Sequence, residues 1–301
     1  MATSSVLTAS EARISVVIAT LGRPERLARA LKALLACDPL PYEIVVVDGS
    51  TDHSARAAVD AMSTTSAPIL FVDSARGSAH QRNVGIDRST GDVVLFVDDD
   101  ADVEPDVIGI VRSAFTDPNV VGATGQILEP SAWRMGRKDS RVRRLLPGGG
   151  VDGQFNRFGY PRRVTDGTRD QDVEFMQGAF MAARRDLATS VRFDESMPGY
   201  ALGEDEDFSY RLSHHGRLRH LAAAVVHHDN GGLLSRDRRA FGRLVVTRRA
   251  YLIRKNFHPT TGTWIAFAGL VAVLVGHRLL NRDLEGARGV IEGAIDVARG
   301  R

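Results

Sequence analysis

Apolar residues fall in short unbroken runs along the first hundred positions, with helical spacing between the runs. Ile14-Ser15-Val16-Val17-Ile18-Ala19-Thr20, Glu43-Ile44-Val45-Val46-Val47, Ile69-Leu70-Phe71-Val72 and Val93-Val94-Leu95-Phe96-Val97 lack the alternation of a half-exposed sheet. Such runs predict strands buried on both faces, as in a parallel sheet. Leu21-Gly22-Arg23-Pro24 turns the chain, and Leu27, Leu31, Leu34 and Leu35 then recur at helical spacing, with Pro24 suited to a first helical turn. Thr51–Ser54 offers caps for a second helix, and residues 77–88 predict a third, closed by Ser89-Thr90-Gly91-Asp92. The β-α-β-α-β-α-β order predicts an α/β fold with a doubly wound, mostly parallel sheet and helices on both faces. A further helix is expected to start near Pro105, where Asp102, Glu104 and Asp106 suit a helix N-terminus.

After Gly125 the pattern changes. Residues 133–169 read as a glycine-rich basic loop, with ten Lys/Arg against three Asp. Gln177–Ala182 is apolar, Gly203 opens a helix through the acidic run Glu204–Asp207, and Ala222–Val226 predicts another strand, ending at His227-His228-Asp229. The segment 236–255 is basic, with eight Lys/Arg against one Asp, and Phe241, Leu244, Val245, Tyr251, Leu252 and Ile253 interleave with its arginines. This predicts a basic amphipathic helix able to lie on an anionic membrane surface. The apolar run Trp264–Val275, about twelve residues, is short for a span and predicts a buried or interfacial helix. The expected organisation is a disordered lead-in (1–12), a nucleotide-sugar-binding half (13–125), a smaller mixed acceptor-binding half of the same domain (126–235), and C-terminal helices (236–301).

Composition narrows this little. The 301 residues are 25% charged with net charge +2, so overall charge points to no nucleic-acid partner. Cys37 is the only cysteine, which excludes disulfide frameworks and cysteine-based zinc sites. With a polar N-terminus lacking a secretory core, a cytoplasmic protein is expected, peripheral on the inner face of the cell membrane.

The candidate chemistry sits at strand ends. Asp98-Asp99-Asp100 closes the most apolar run, where open α/β sheets place their ligands. Alternate residues face the same way, so Asp98 and Asp100 can approach one ion, and three like charges call for a cation such as Mg2+ or Mn2+. Asp48 ends another strand, with Gly49 allowing close approach by a ligand, and Thr20 ends the first. In Glu204–Asp207, crowded carboxylates raise one another's pKa, which suits a base near neutral pH. His227, with His228 as its alternative, could bring imidazole to a metal.

These residues, taken in order, resemble the family 2 glycosyltransferases of the GT-A fold. The resemblance rests on residues 15–20 with Gly22-Arg23-Pro24, Val45–Asp52, Arg82–Ile86, Val97–Asp100, Gln177–Met181, Gly203–Arg211 and His227. It implies an inverting transferase moving a sugar from a nucleoside diphosphate (UDP, dTDP or GDP) to an acceptor hydroxyl. It also implies roles. Thr20, Arg23 and Asp48 would contact the nucleotide, with Arg76, Arg82 and Asp99 beside them. Asp98 would reach the ribose or the metal, Asp100 would hold Mn2+ or Mg2+ at the donor pyrophosphate, and His227 would add a metal contact. Glu204 and Asp205 would form the catalytic acidic pair with Asp205 as base, and Gln177 and Gly178 would line the acceptor side. The basic segments suit a lipid-linked glycan acceptor; a small-molecule acceptor is the alternative.

Two other classes share parts of the pattern. A haloacid dehalogenase-type phosphatase would use Asp98 as nucleophile and Asp100 as its acid partner, but would place that motif near the N-terminus and leave residues 204–207 without a role. A non-catalytic sugar-nucleotide binder would not need Asp205. A nicotinamide dehydrogenase is disfavoured because no Gly-x-Gly-x-x-Gly follows the first strand.

Overall fold

The computed structural model describes residues 12–62, 67–129, 152–156, 159–164, 167–197, 202–229 and 237–300. The expected lead-in, apart from Ala12, and most of the expected loop 133–169 lie outside the described residues. The chain divides into two compact units, one from residues 1–130 and 163–229, the other from 131–162 and 230–301.

The first unit is a mixed α/β layer built on one nine-stranded sheet. Its strands are β1 (Ile14–Thr20), β2 (Glu43–Asp48), β3 (Ile69–Asp73), β4 (Val93–Val97), β5 (Ala101–Val103), β6 (Val120–Leu128), β7 (Gln171–Val173), β8 (Phe180–Arg184) and β9 (Arg217–His228). They lie in the order β3-β2-β1-β4-β8-β6-β9-β5, with β7 also on β9. β3, β2, β1 and β4 are parallel, as their continuous apolar runs predict, and β1, β2 and β4 are almost wholly buried. Helices α1 (Pro24–Leu35), α2 (Ser54–Asp60), α3 (Ser78–Arg88), α4 (Val107–Ala114), α5 (Arg185–Val191) and α6 (Glu204–Ser213) complete the layer. Leu27, Leu31 and Leu34 of α1 join the strand side chains in the main core. Helix α3 lies so close to β1 that a Cβ on Gly85 would stand 2.2 Å from Val17 Cγ1.

Two departures from the expected strands position the site. β8 runs antiparallel between β4 and β6, with Val97 opposite Phe180. The start of β8 therefore meets the end of β4, and the Asp98 N–H donates to the Ala179 carbonyl at 3.2 Å. β9 is much longer than the expected Ala222–Val226, and its last residues pair with β5, Ala101 opposite His228 and Asp102 opposite His227.

In the second unit, α7 (Arg238–Asn256), α8 (Thr261–Leu280) and α9 (Leu284–Ala298) pack around Val246, Ala250, Ile253, Phe267, Val290 and Val297. α7 and α9 meet at glycine: a Cβ on Gly289 would lie 1.9 Å from the Arg239 carbonyl oxygen. Arg243 Nε donates to Asp296 Oδ2 at 2.5 Å across the same contact. The apolar run expected as a twelve-residue buried or interfacial helix belongs to a twenty-residue helix, α8, of which only 17% of the most apolar stretch is buried. By length and composition α8 could cross a membrane. A cavity of about 380 Å³ lies among Arg254, Trp264, Phe267, Val271, Ala294 and Val297.

Candidate active site

β1, β2 and β4 are parallel neighbours, so their carboxyl ends bring Thr20, Asp48 and Asp98–Asp100 to one edge of the sheet. Asp99 turns inward: its carboxylate accepts from Thr20 Oγ1 at 2.7 Å and Arg23 Nη1 at 3.1 Å. Burial pushes Asp99 up to about 6, against the opposing pull of Thr20 and Arg23. Asp100 accepts from Arg26 Nη1 at 2.7 Å on Oδ2, and His228 Nε2 lies 3.0 Å from its Oδ1. Asp98 accepts from Arg82 Nη2 at 3.0 Å on Oδ1, while its Oδ2 stands 3.7 Å from His228 Nε2.

The three carboxylates thus meet the protein's own cations, Arg23, Arg26 and Arg82, where the sequence called for an external one. The arginines leave a gap. Arg82 occupies one oxygen of Asp98 and Arg26 one oxygen of Asp100, and the other oxygen of each carboxylate is turned toward His228 Nε2. Asp98, Asp100 and His228 each offer one ligand atom within 4.8 Å of the others, the group among the described residues able to hold a metal ion. Two carboxylate oxygens and an imidazole nitrogen are ligand types that divalent cations take. The guanidinium bonds behind them fix the carboxylate orientation, as outer-shell partners of a metal do.

His227, the expected contact, is not in this group. Alternation along β9 buries Ala224, Val226 and His228 and sends His227 outward. There its Nε2 lies 2.8 Å from Glu104 Oε1 with the side chain 53% exposed. Burial alone would lower the pKa of His228, but Asp100 and Asp98 outweigh it and hold the imidazole above its usual value.

Helix α3 supplies a polar face that packs under the site. Arg82 is buried, with Nη1 donating to Glu204 and Nη2 also to the Gly178 carbonyl at 3.0 Å. Glu204 also accepts from Ser78 Oγ at 2.9 Å, and its burial pushes it up to about 7 against the influence of Arg82. Asp205, half-buried one residue on, accepts from the Gly178 N–H at 3.0 Å. One residue, Gly178, therefore joins Arg82 and Asp205, through its carbonyl and its N–H. Gly203 precedes α6 in the left-handed region (φ 88°), which starts the helix so that Glu204 points into the protein and Asp205 toward Gly178. Gln177 Oε1 is buried with no hydrogen-bond partner among the described residues.

The nucleotide-side expectations divide. Asp48 is buried and accepts from Ser50 N at 2.9 Å and Ser50 Oγ at 2.7 Å. The space beside Gly49 is not open: a Cβ there would stand 3.0 Å from the Gln81 side chain and 3.1 Å from Arg76 Cα. Gln81 Nε2 donates to the Thr20 carbonyl at 2.8 Å and the Val47 carbonyl at 2.9 Å, tying β1 to β2. Arg76 is exposed, at the end of the loop leading into α3. Sequence reasoning missed Ser78, Gln81 and Arg26. Arg26 carried a signal: with Arg23 it places two cations three residues apart at a helix N-terminus, where the dipole disfavours them unless acids lie opposite.

A profile of glycosyl transferase family 2 matches residues 15–191, more than half of the chain. The chain belongs to glycosyl transferase family 2. Among similar proteins are a glucosyl-dolichyl phosphate glucuronosyltransferase of Haloferax volcanii, 32% identical over 38% of this chain and 38% of its own length, and an N-acetylglucosaminyltransferase of Azorhizobium caulinodans, 35% identical over 29% of this chain and 23% of its own length. The match therefore spans less than half of either relative. The mannosyltransferase PcManGT of Pyrobaculum calidifontis, solved with GDP-Man and Mn2+, superposes with TM-score 0.57 at 16% identity, over 95% of this chain and 86% of that one. GalNAc-T7, solved with UDP, GalNAc and Mn2+, gives 0.56 at 14% identity over 72% of this chain and 44% of that one. The fold of this family 2 member is GT-A. A phosphatase reading of Asp98 and Asp100 falls with that assignment.

Proposed function

We propose that this glycosyltransferase moves a sugar from a nucleoside diphosphate to an acceptor hydroxyl with inversion, using a divalent cation at Asp98, Asp100 and His228 and Asp205 as base. The observation that carries this is the convergence of Asp98 Oδ2, Asp100 Oδ1 and His228 Nε2 while Arg82 and Arg26 hold the opposite carboxylate oxygens. Bound there, Mn2+ or Mg2+ would supply Lewis-acid stabilisation of the departing diphosphate. Asp205, fixed by the Gly178 N–H, accepts the proton of the acceptor hydroxyl as that oxygen attacks the anomeric carbon. The bond to the diphosphate breaks on the opposite face. Glu204 is a positioning residue in this reading: buried and bonded to Ser78 and Arg82, it aims Arg82 at Asp98 and Gly178. Thr20, Arg23, Asp48 and Arg76 border the nucleotide, and Gln177 offers its unpartnered oxygen to a sugar or acceptor hydroxyl.

The donor in this reading is a UDP, dTDP or GDP sugar; the solved neighbours carry UDP or GDP-Man. A lipid-linked acceptor is favoured by the dolichyl-phosphate substrate in the relative's name. Thermal shift with UDP, dTDP and GDP, each with and without Mn2+, tests the donor site. Stabilisation by one nucleotide that requires Mn2+ and is lost in Asp100→Asn is expected; no stabilisation by any of them overturns the reading.

A further inference from the structure

We propose that α8 seats the second unit in the plane of an anionic lipid bilayer, with its uncharged face in the boundary between headgroups and hydrocarbon. Ile265, Ala268, Gly269, Ala272, Leu279 and Leu280 are exposed. At about 100° per residue they fall within roughly a third of the helix circumference. None is charged, and Ile265 and Leu280 are 69% and 87% exposed. The opposite face buries Thr263, Ala266 and Phe267. An uncovered apolar strip along a whole helix marks a surface that meets a partner.

Charge identifies the partner. Residues 237–300 contain eleven Lys/Arg and five Asp/Glu, an excess of six positive charges, and α7 has seven Lys/Arg and no acid. Arg254 and Lys255 before α8, and Arg282 after it, are exposed. Arg254 lies over the Trp264 ring at 5.2 Å, a cation above an interfacial aromatic. Cations at both ends of an apolar face fit anionic headgroups. Two copies meeting through this face would oppose like charges.

The helix lies in the interface and does not span. Its twenty residues rise about 30 Å, enough to cross. A crossing, however, would strip Phe267 from Val246, Ala250 and Val290 or draw the charged α7 and α9 into hydrocarbon.

Flotation of the full chain with vesicles of 30% phosphatidylglycerol in phosphatidylcholine, and with phosphatidylcholine alone, tests this. The chain should float with the anionic vesicles and at least tenfold less with the neutral ones, and Ile265→Asp with Leu280→Asp should lower anionic binding at least tenfold. Nucleotide-induced thermal shift, read in parallel, should be unchanged in that double variant. The proposal is overturned if the wild-type chain stays at the bottom of the gradient with anionic vesicles. It is equally overturned if the double variant floats as well as wild type, or if light scattering finds a dimer that this double variant dissociates.

Discussion

His228 and Asp100, 128 residues apart in sequence, stand 3.0 Å apart between Nε2 and Oδ1. β5 and β9 pair antiparallel immediately beside this contact, so the register Ala101–His228 brings one to the other. The strand register, more than either residue's local sequence, defines the candidate metal group.

That register separates two adjacent histidines experimentally. His228→Ala should weaken Mn2+ affinity by at least about tenfold, the scale on which perturbing a metal's surroundings is felt. His227→Ala should leave it within about twofold, because His227 faces Glu104 and solvent. Isothermal titration of Mn2+ in the presence of the stabilising nucleotide reads both; equal losses would return His227 to the group.

Asp205→Asn should lower the transfer rate by about 10²–10⁴-fold, the usual contribution of a positioned base. The asparagine amide oxygen can still accept from Gly178, so nucleotide-dependent stabilisation should persist. A rate within tenfold of wild type would remove Asp205 from the base role.

Glu204→Gln should flatten part of the pH dependence of stability. Burial raises the carboxyl from 4.5 to about 7 in the folded protein, so the folded state binds more protons than the unfolded state between those values. Stability attached to this group is therefore present at low pH and falls as pH rises through that window. Relative to Glu204→Gln, the wild-type melting temperature should decline from pH 5 to pH 7 in EDTA. A parallel course for the two proteins would place Glu204 near its ordinary value.

Gly85→Ala tests the seat of α3. The new methyl would meet Val17 Cγ1 at 2.2 Å, and overpacking of this kind costs about 1–3 kcal/mol. A chemical denaturation midpoint lower than wild type is expected. Nucleotide affinity should fall with it, since α3 carries Gln81 and Arg82.

The sequence by itself determined the parallel half of the sheet. Val93–Val97, Ile44–Val47 and their neighbours are apolar without alternation, and only a strand covered on both faces accepts such a run. It also put Asp48, Asp98 and Asp100 at strand ends, because a carboxylate cannot follow a run of four or five apolar residues inward without a partner. The apolar run of β9 carried no phase: Ala222–Val226 is apolar on both faces, so nothing local told His227 from His228. Pairing with β5 supplied it. The gap read beside Gly49 vanished for a similar reason, since Gln81 enters it from a helix thirty residues downstream. The need for positive charge at the aspartates was legible, but Arg23, Arg26 and Arg82 were not legible as its source. Electrostatic repulsion can be read from adjacent residues, whereas the groups that relieve it are chosen by which helix packs over which strand end.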